Sequence, residues 1–263
     1  MPKVCAGQPE MDLHLAGKRA LITGGSKGIG RATAFSLAAE GVDLILVARD
    51  GAALAATADG IRAKHQVAVS TIAADLSQES EILRVAAEAG EIDILVNNAG
   101  SIPPGGLLSV DNDTWRRAWD LKVFGFISLC RAVYPSMQAR ASGVIVNILG
   151  VAGEKLSLDY LAGTTGNAGL MAFTRALGTS STKDNIRVVG INPGATATAR
   201  MEMLMRDRAR QSLGDPDRWQ ELCASMPFGR AGKPEEIGDA VAFLASPRSA
   251  YTSGTILTID GGA

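Results

Sequence analysis

The sequence predicts an α/β fold: a parallel sheet, doubly wound, with helices on both faces. Two observations predict it. Helical and strand patterns alternate along nearly the whole chain, and repeated strand–helix alternation builds parallel neighbours through crossovers. The strand segments are continuous apolar runs, which suit a sheet covered on both sides. With 263 residues, 46% of them hydrophobic, the chain holds ample material for one large core.

Taken in order, residues 19–22 read as a short buried strand. It breaks at Gly24-Gly25, and a helix starts near Gly28 and stops at Gly41. Residues 42–48 are a second apolar run, interrupted by one Asp, and 50–64 an alanine-rich helix. A third strand covers 67–73. Ser77, with Glu81 four residues on, opens a helix that Gly90 closes. A fourth strand, 92–96, leads to Asn97-Asn98-Ala99-Gly100 and a loop holding Pro103, Pro104, Gly105 and Gly106. Residues 111–138 read as one long helix, bent near Gly125 and ending around Pro135. A fifth strand, 143–149, precedes a helix over 160–179 with small residues on one face. A sixth strand, 186–191, runs into Asn192-Pro193-Gly194. Residues 198–225, charged and Met-rich and broken at Gly214-Asp215-Pro216, read as a helical substrate flap. The helix 234–246 has Pro at its first turn, and a last strand, 255–259, precedes Asp260-Gly261-Gly262. Residues 1–15 read as a flexible arm without the apolar core of a signal peptide, and 16–263 as a single domain.

Composition excludes several classes of function. A net charge of −1 with scattered basic residues offers no field for nucleic acid or an anionic membrane. No apolar stretch is long enough to span a bilayer. Cys5, Cys130 and Cys223 lie far apart and His14 and His65 form no pair. Neither a disulfide framework nor a metal site is expected, and a cytoplasmic setting fits.

The stretch Thr23-Gly24-Gly25-Ser26-Lys27-Gly28-Ile29-Gly30 carries the chemistry. A strand that turns on glycines into a helix is a cradle for a dinucleotide pyrophosphate: the glycines let backbone approach phosphate, and the first N–H groups of the helix point at it. Further on stand Asp75-Leu76, Asn97-Asn98-Ala99-Gly100, Pro193-Gly194 with Thr198, Gly232-Lys233-Pro234-Glu235-Glu236-Ile237, and Tyr251-Thr252-Ser253-Gly254 with Asp260-Gly261-Gly262. In this order the set resembles the short-chain dehydrogenase/reductase family from about residue 16 to the C-terminus. The resemblance implies a three-layer Rossmann-type sheet of about seven strands, a nicotinamide cofactor, and a small carbonyl or alcohol substrate. It also implies a homodimer or homotetramer built on the helices 111–138 and 160–179, where Ala168, Gly169 and Ala172 permit close packing. Carried over position by position, Gly24, Ser26, Lys27, Gly28, Ile29 and Gly30 clasp the pyrophosphate. Asp75 and Leu76 border the adenine, and Asn97, Ala99 and Gly100 back it. Pro193, Gly194, Thr196 and Thr198 hold the nicotinamide carboxamide.

Charge argues the choice of nucleotide. An acidic residue at the end of the second strand would bind a ribose diol and repel a 2′-phosphate. Ala48 and Arg49 occupy that place, and Lys27 adds a second positive charge, which favours NADP(H). Asp50 facing the ribose in place of Arg49 would favour NAD(H).

The resemblance fails at the chemistry. The family uses Tyr and Lys four apart on a helix, a Ser thirteen before the Tyr, and an Asn on the preceding long helix. An ungapped reading puts the Ser, Tyr and Lys on Gly150, Gly163 and Asn167, and the Asn on Lys122. Two changes look paired: Lys122 brings an ammonium from the other helix, and Asn167 keeps a hydrogen bond to the cofactor ribose. Tyr160, about 4.5 Å along the helix axis from Gly163, offers a displaced phenol, with Ser157 and Thr164 as nearby hydroxyls. Three readings stay open: an oxidoreductase with a relocated proton donor, one in which substrate or water carries the proton, and a catalytically silent dinucleotide-binding sensor or partner subunit.

Overall fold

The structure, a computed structural model, describes residues 11–263. In chain order its elements are β1 (Arg19–Thr23), α1 (Gly28–Ala39), β2 (Asp43–Ala48), α2 (Gly51–Arg62), β3 (Val69–Ala73), α3 (Glu79–Ala89), β4 (Ile94–Asn97), α4 (Asn112–Trp119), α5 (Gly125–Ala139), β5 (Gly143–Ile148), α6 (Leu161–Ser180), β6 (Ile186–Pro193), α7 (Ala199–Leu213), α8 (Trp219–Cys223), α9 (Pro234–Ala245) and β7 (Ile256–Ile259). The strands form one seven-stranded sheet in the order β3-β2-β1-β4-β5-β6-β7, with every pair parallel.

Side chains alternate across the sheet with the strand period of two. Ala20 and Ile22 of β1, Leu44 and Leu46 of β2, and Ile94 and Val96 of β4 face a layer made by α1, α2 and α9. Leu21, Ile45, Val47 and Leu95 face the opposite layer, made by α3, α5 and the underside of α6. Both faces of the central strands are covered, so these read as apolar runs, while the edge strands β3 (VSTIA) and β7 (ILTI) keep exposed positions. Strand order reverses between β1 and β4, and a crevice opens there beyond the C-terminal ends of the strands. The glycine turn after β1, the loops after β4 and β5 and the segment after β6 all reach that edge.

Three sequence expectations need correction. The helix expected over 111–138 is two helices joined by a widened π-type turn, Asp120–Phe124, and it continues through Pro135 to Ala139. The widened turn carries Lys122 into the interior, where it is 7% exposed. Ser77 does not cap α3: Asp75 accepts its N–H and hydroxyl, Gln78 stands at the cap without a side-chain bond, and Glu81 pairs with Arg84. The arm expected over 1–15 lies mostly outside the described residues. Its last part is anchored: Leu15 is buried, Leu13 packs on the core, and Arg248 Nε donates to the Asp12 carbonyl.

The segment expected to be a flap is helical. Thr198 caps α7 by accepting the Met201 N–H, and Gly214, in a left-handed conformation, ends it. Asp215 then caps the short turn Pro216–Arg218 that leads into α8. No helix among the described residues is long and apolar enough to cross a membrane.

Candidate active site

The glycine turn is locked from behind. Thr23 Oγ1 accepts the N–H groups of Asn98 (2.8 Å) and Ala99 (3.0 Å), and Asn98 Nδ2 donates to the Thr23 carbonyl at 2.9 Å. Gly28 has φ +56°, a region that favours glycine, and Gly30 is packed so tightly that a Cβ would strike the Gly24 carbonyl and lie 2.5 Å from Asn98 Nδ2. The turn brings α1 in close with its first N–H groups open, because no side chain caps it. By contrast, α2, α4 and α7 are capped by Asp50, Asp111 and Thr198. Thr198 Cγ2 would lie 3.2 Å from a Cβ on Gly28, so the segment after β6 meets the glycine turn directly.

The remaining positions expected at the cofactor divide. Lys27 and Arg49 are exposed, and neither has an acidic partner among the described residues. Asp50 is committed elsewhere, accepting the Ala53 N–H at 3.0 Å. Ser26 offers its carbonyl to Thr57, Leu76 is buried, and Thr196 is held by the Gly194 carbonyl at 3.1 Å. Pro193 closes β6, and Gly194 fits tightly under Asp260. Ile29 packs against the core at the start of α1. Two side chains turn away from the crevice. Asn97 is 1% exposed and donates to Asn147 Oδ1 at 3.0 Å and to Cys130 Sγ, so it ties β4 to β5 and α5. The Asp75 carboxylate is used by Ser77.

At the C-terminal end of β5 four positions meet. Lys122 runs beneath Gly100, whose Cβ would lie 2.5 Å from Lys122 Cδ. Its Nζ donates to the Ile148 carbonyl at 2.6 Å and sits 4.4 Å from the Phe126 ring centre. Burial, reinforced by the charge of Arg200, brings the Lys122 ammonium down to about 7. Asn167 stands beside Gly150, where a Cβ would be 3.2 Å from its Nδ2. That Nδ2 donates to the Gly163 carbonyl at 2.9 Å, and Oδ1 is buried without a protein partner. A Cβ on Gly163 would fall inside the Tyr160 ring, 2.6 Å from Cδ1 and closer still to Cε1 and Cζ. The Tyr160 aromatic ring therefore fills the space over Gly163. It is wedged against Ile102, Ala118 and Ala162, and burial raises its phenol above the ordinary value while Arg200 opposes the rise. Thr164 is nearly buried and bonded to the Ser157 backbone, so this pair holds the loop before α6.

Residues 24–263 match the family model described as Enoyl-(Acyl carrier protein) reductase. The 2-keto-3-deoxy-L-fuconate dehydrogenase of Xanthomonas campestris pv. campestris is 32% identical over 253 residues, covering 95% of this chain and 81% of that protein. The chain belongs to the short-chain dehydrogenase/reductase family. Its relatives in this family include the 7alpha-hydroxysteroid dehydrogenase of Escherichia coli, 33% identical over 257 residues, 95% of this chain and 96% of that enzyme. The L-sorbose reductase of Gluconobacter frateurii, solved with NADPH and L-sorbose, superposes with a TM-score of 0.90 at 32% identity, over 95% of this chain and 98% of that one. A 7 alpha-hydroxysteroid dehydrogenase complexed with NADH and 7-oxo glycochenodeoxycholic acid gives a TM-score of 0.85 at 31% identity, over 96% of both chains. These two solved structures thus hold NADPH in one case and NADH in the other.

In this family member one residue of the site has no signal in the sequence. Arg200, in the first turn of α7, reaches back across the crevice: Nη1 donates to Ser101 Oγ at 2.6 Å and Nη2 to the Ile102 carbonyl. Among the described residues no group of three His, Cys, Asp or Glu side chains gathers as a metal site.

Proposed function

We propose that the chain is an NADP(H)-dependent oxidoreductase that interconverts a carbonyl and an alcohol through an atypical active site built on Tyr160, Lys122 and Asn167. The observation that carries this reading is the Tyr160 ring filling the space over Gly163, the position that the family pattern gives to its tyrosine. The dinucleotide would be held by the glycine turn, the uncapped start of α1 and the segment from Pro193 to Thr198. When bound, the nicotinamide supplies or accepts the hydride.

The chain's own groups handle the proton. The buried Tyr160 phenol stays protonated at neutral pH, as a donor to a carbonyl oxygen must. Lys122, brought to about 7, holds or releases a proton near working pH. Asn167 Oδ1, free of protein partners, is an acceptor for a ribose hydroxyl. The packing of Lys122 under Gly100 keeps water from its stem and fixes its reach.

NADP(H) is favoured because Asp50 is spent on the α2 cap while Arg49 stays exposed and unpaired. Arg49→Ser is therefore expected to weaken NADPH binding about tenfold to a hundredfold, the worth of a charge-assisted bond to phosphate, with NADH far less affected. Titrating both nucleotides by fluorescence checks it, and equal losses for the two would discard the phosphate role. The exposed small-residue face of α6, with Gly169 open to solvent and Ala172 beside it, is the surface we assign to a homodimer or homotetramer.

The test of the whole reading is NADPH consumption over a panel of ketones and aldehydes, with Lys122→Ala and Tyr160→Phe. Each variant is expected to lose at least about a hundredfold in kcat. Unchanged turnover in both would overturn the relocated site. Nucleotide binding without turnover across the panel would leave a nucleotide-binding protein instead.

A further inference from the structure

The crevice beside Tyr160 carries positive charge without a counter-ion among the described residues. Lys122 is 7% exposed and its ammonium bonds only to the Ile148 and Leu149 carbonyls. Arg200 is half-buried, and two of its N–H groups go to neutral oxygens, Ser101 Oγ and the Ile102 carbonyl. The remaining donors of its five have no acceptor among the described residues. The charge of Arg200 acts on both Lys122 and Tyr160, and among the described residues neither of these side chains pairs with a carboxylate. Of the acidic residues nearest along the chain, Asp159 beside Tyr160 and Asp120 before Lys122 are exposed, the Asp159 carbonyl and not its carboxylate faces Gly105, and Glu202 after Arg200 pairs with Arg206. A half-buried guanidinium with unpaired N–H groups favours an anion beside it.

From this arrangement we infer that Arg200 binds the carboxylate of the substrate, so that the carbonyl or alcohol compound this site accepts is an oxo- or hydroxycarboxylic acid. The assignment rests on the oxidoreductase reading above. A planar guanidinium with free N–H groups pairs with a carboxylate in a two-pronged geometry that a neutral ester cannot match. The rim gives that acid an apolar body. Leu156 and Leu158 are each 77% exposed, and the bridge between Gly105 and Tyr160 holds their loop against the one bearing Leu107 and Leu108.

The experiment begins with NADPH and NADP+ titrations of the full chain. Binding of two acid–ester pairs to the NADP+-loaded protein then follows by calorimetry: 4-oxopentanoate against its methyl ester, and 2-oxo-4-phenylbutanoate against its ethyl ester. At least one acid is expected to bind about ten- to a hundredfold tighter than its ester. Arg200→Met is expected to bring that ratio close to one, and Arg200→Lys to keep part of it. Ser101→Ala, which cuts the bond from Arg200 to the loop but leaves the charge, is expected to keep the full preference, which separates ligand binding from loop anchoring. Esters binding as well as acids in both pairs, neither acid binding, or a preference that survives Arg200→Met would overturn the assignment while the oxidoreductase reading stands. Failure of the nucleotide titration sinks that reading instead, and the acid–ester comparison is then made on the nucleotide-free chain with the same criteria.

Discussion

Lys122→Met is expected to raise stability at neutral pH while removing most of the turnover. The two side chains are similar in length and volume, so packing under Gly100 and over Phe126 is largely kept. What changes is charge. In the unfolded chain the amine has its ordinary value of 10.5, and in the fold burial, with Arg200 adding to it, brings it to about 7. Between those values the unfolded chain binds a proton that the folded chain does not, so stability rises with pH across that window. Above 10.5 the amine is neutral in both states and the fold has its full stability. As pH falls to about 7 stability is lost, and below that the loss is complete. At pH 7 the penalty on the native state is roughly 4 kcal/mol by this linkage. Methionine escapes it but leaves the Ile148 carbonyl without its donor, at about 1–3 kcal/mol. The net expectation is a gain of about 2 kcal/mol at pH 7 that shrinks and reverses as pH approaches 10. Urea melts of both proteins at pH 7 and pH 9.5 measure it, and parallel pH dependence in the two would show that Lys122 does not titrate in this window. Under the proposed mechanism the turnover loss, about a hundredfold or more, has the same origin, the Lys122 proton that destabilises the fold.

That coupling explains which parts of the molecule the sequence makes legible. The glycine turn and the apolar central strands are local, written within a few residues of where they act, whereas the helix start expected at Ser77 is made instead at Gln78. The exchange of residue types at 122 and 167 points to a shared neighbourhood, and both side chains do touch residues 148–150. Arg200 is different. Its partners Ser101 and Ile102 lie about a hundred positions away, and nothing in the local pattern of α7 marks one arginine among several as the one that crosses the crevice. The widened turn at Asp120–Phe124 is equally silent. A regular helix from 111 to 138 fits the periodicity, and only the tertiary demand to bury Lys122 beneath Gly100 accompanies the extra residue in the turn. Asn97 misleads for the opposite reason. It stands in a motif expected to face the cofactor, yet strand alternation turns its side chain into the core, and its neighbour Asn98 grips the glycine turn.

Gly163→Ala is the sharper test of the relocated phenol, because it adds one methyl group and removes none of the residues assigned to the chemistry. The new Cβ falls inside the Tyr160 ring, so the ring must leave its place against Ile102, Ala118 and Ala162. A side chain can swing where backbone cannot, so the cost in stability is modest, about 1–3 kcal/mol. The catalytic cost is expected to be far larger. If the phenol donates the proton from over Gly163, displacing it should lower kcat about a hundredfold or more, as far as Tyr160→Phe does. The double variant Gly163→Ala/Tyr160→Phe should then be no worse than either alone, since both remove the same group from the same place. NADPH affinity, set by the glycine turn, should hold in all three. Fully additive losses would mean that Tyr160 and Gly163 serve catalysis separately, and wild-type turnover in Gly163→Ala would mean that the ring only fills space. The distinction matters because a helix start can carry a tyrosine for packing alone. What argues against packing alone is that the position beneath the ring has no side chain of its own, so the ring takes up the space at the place where the family pattern puts its tyrosine.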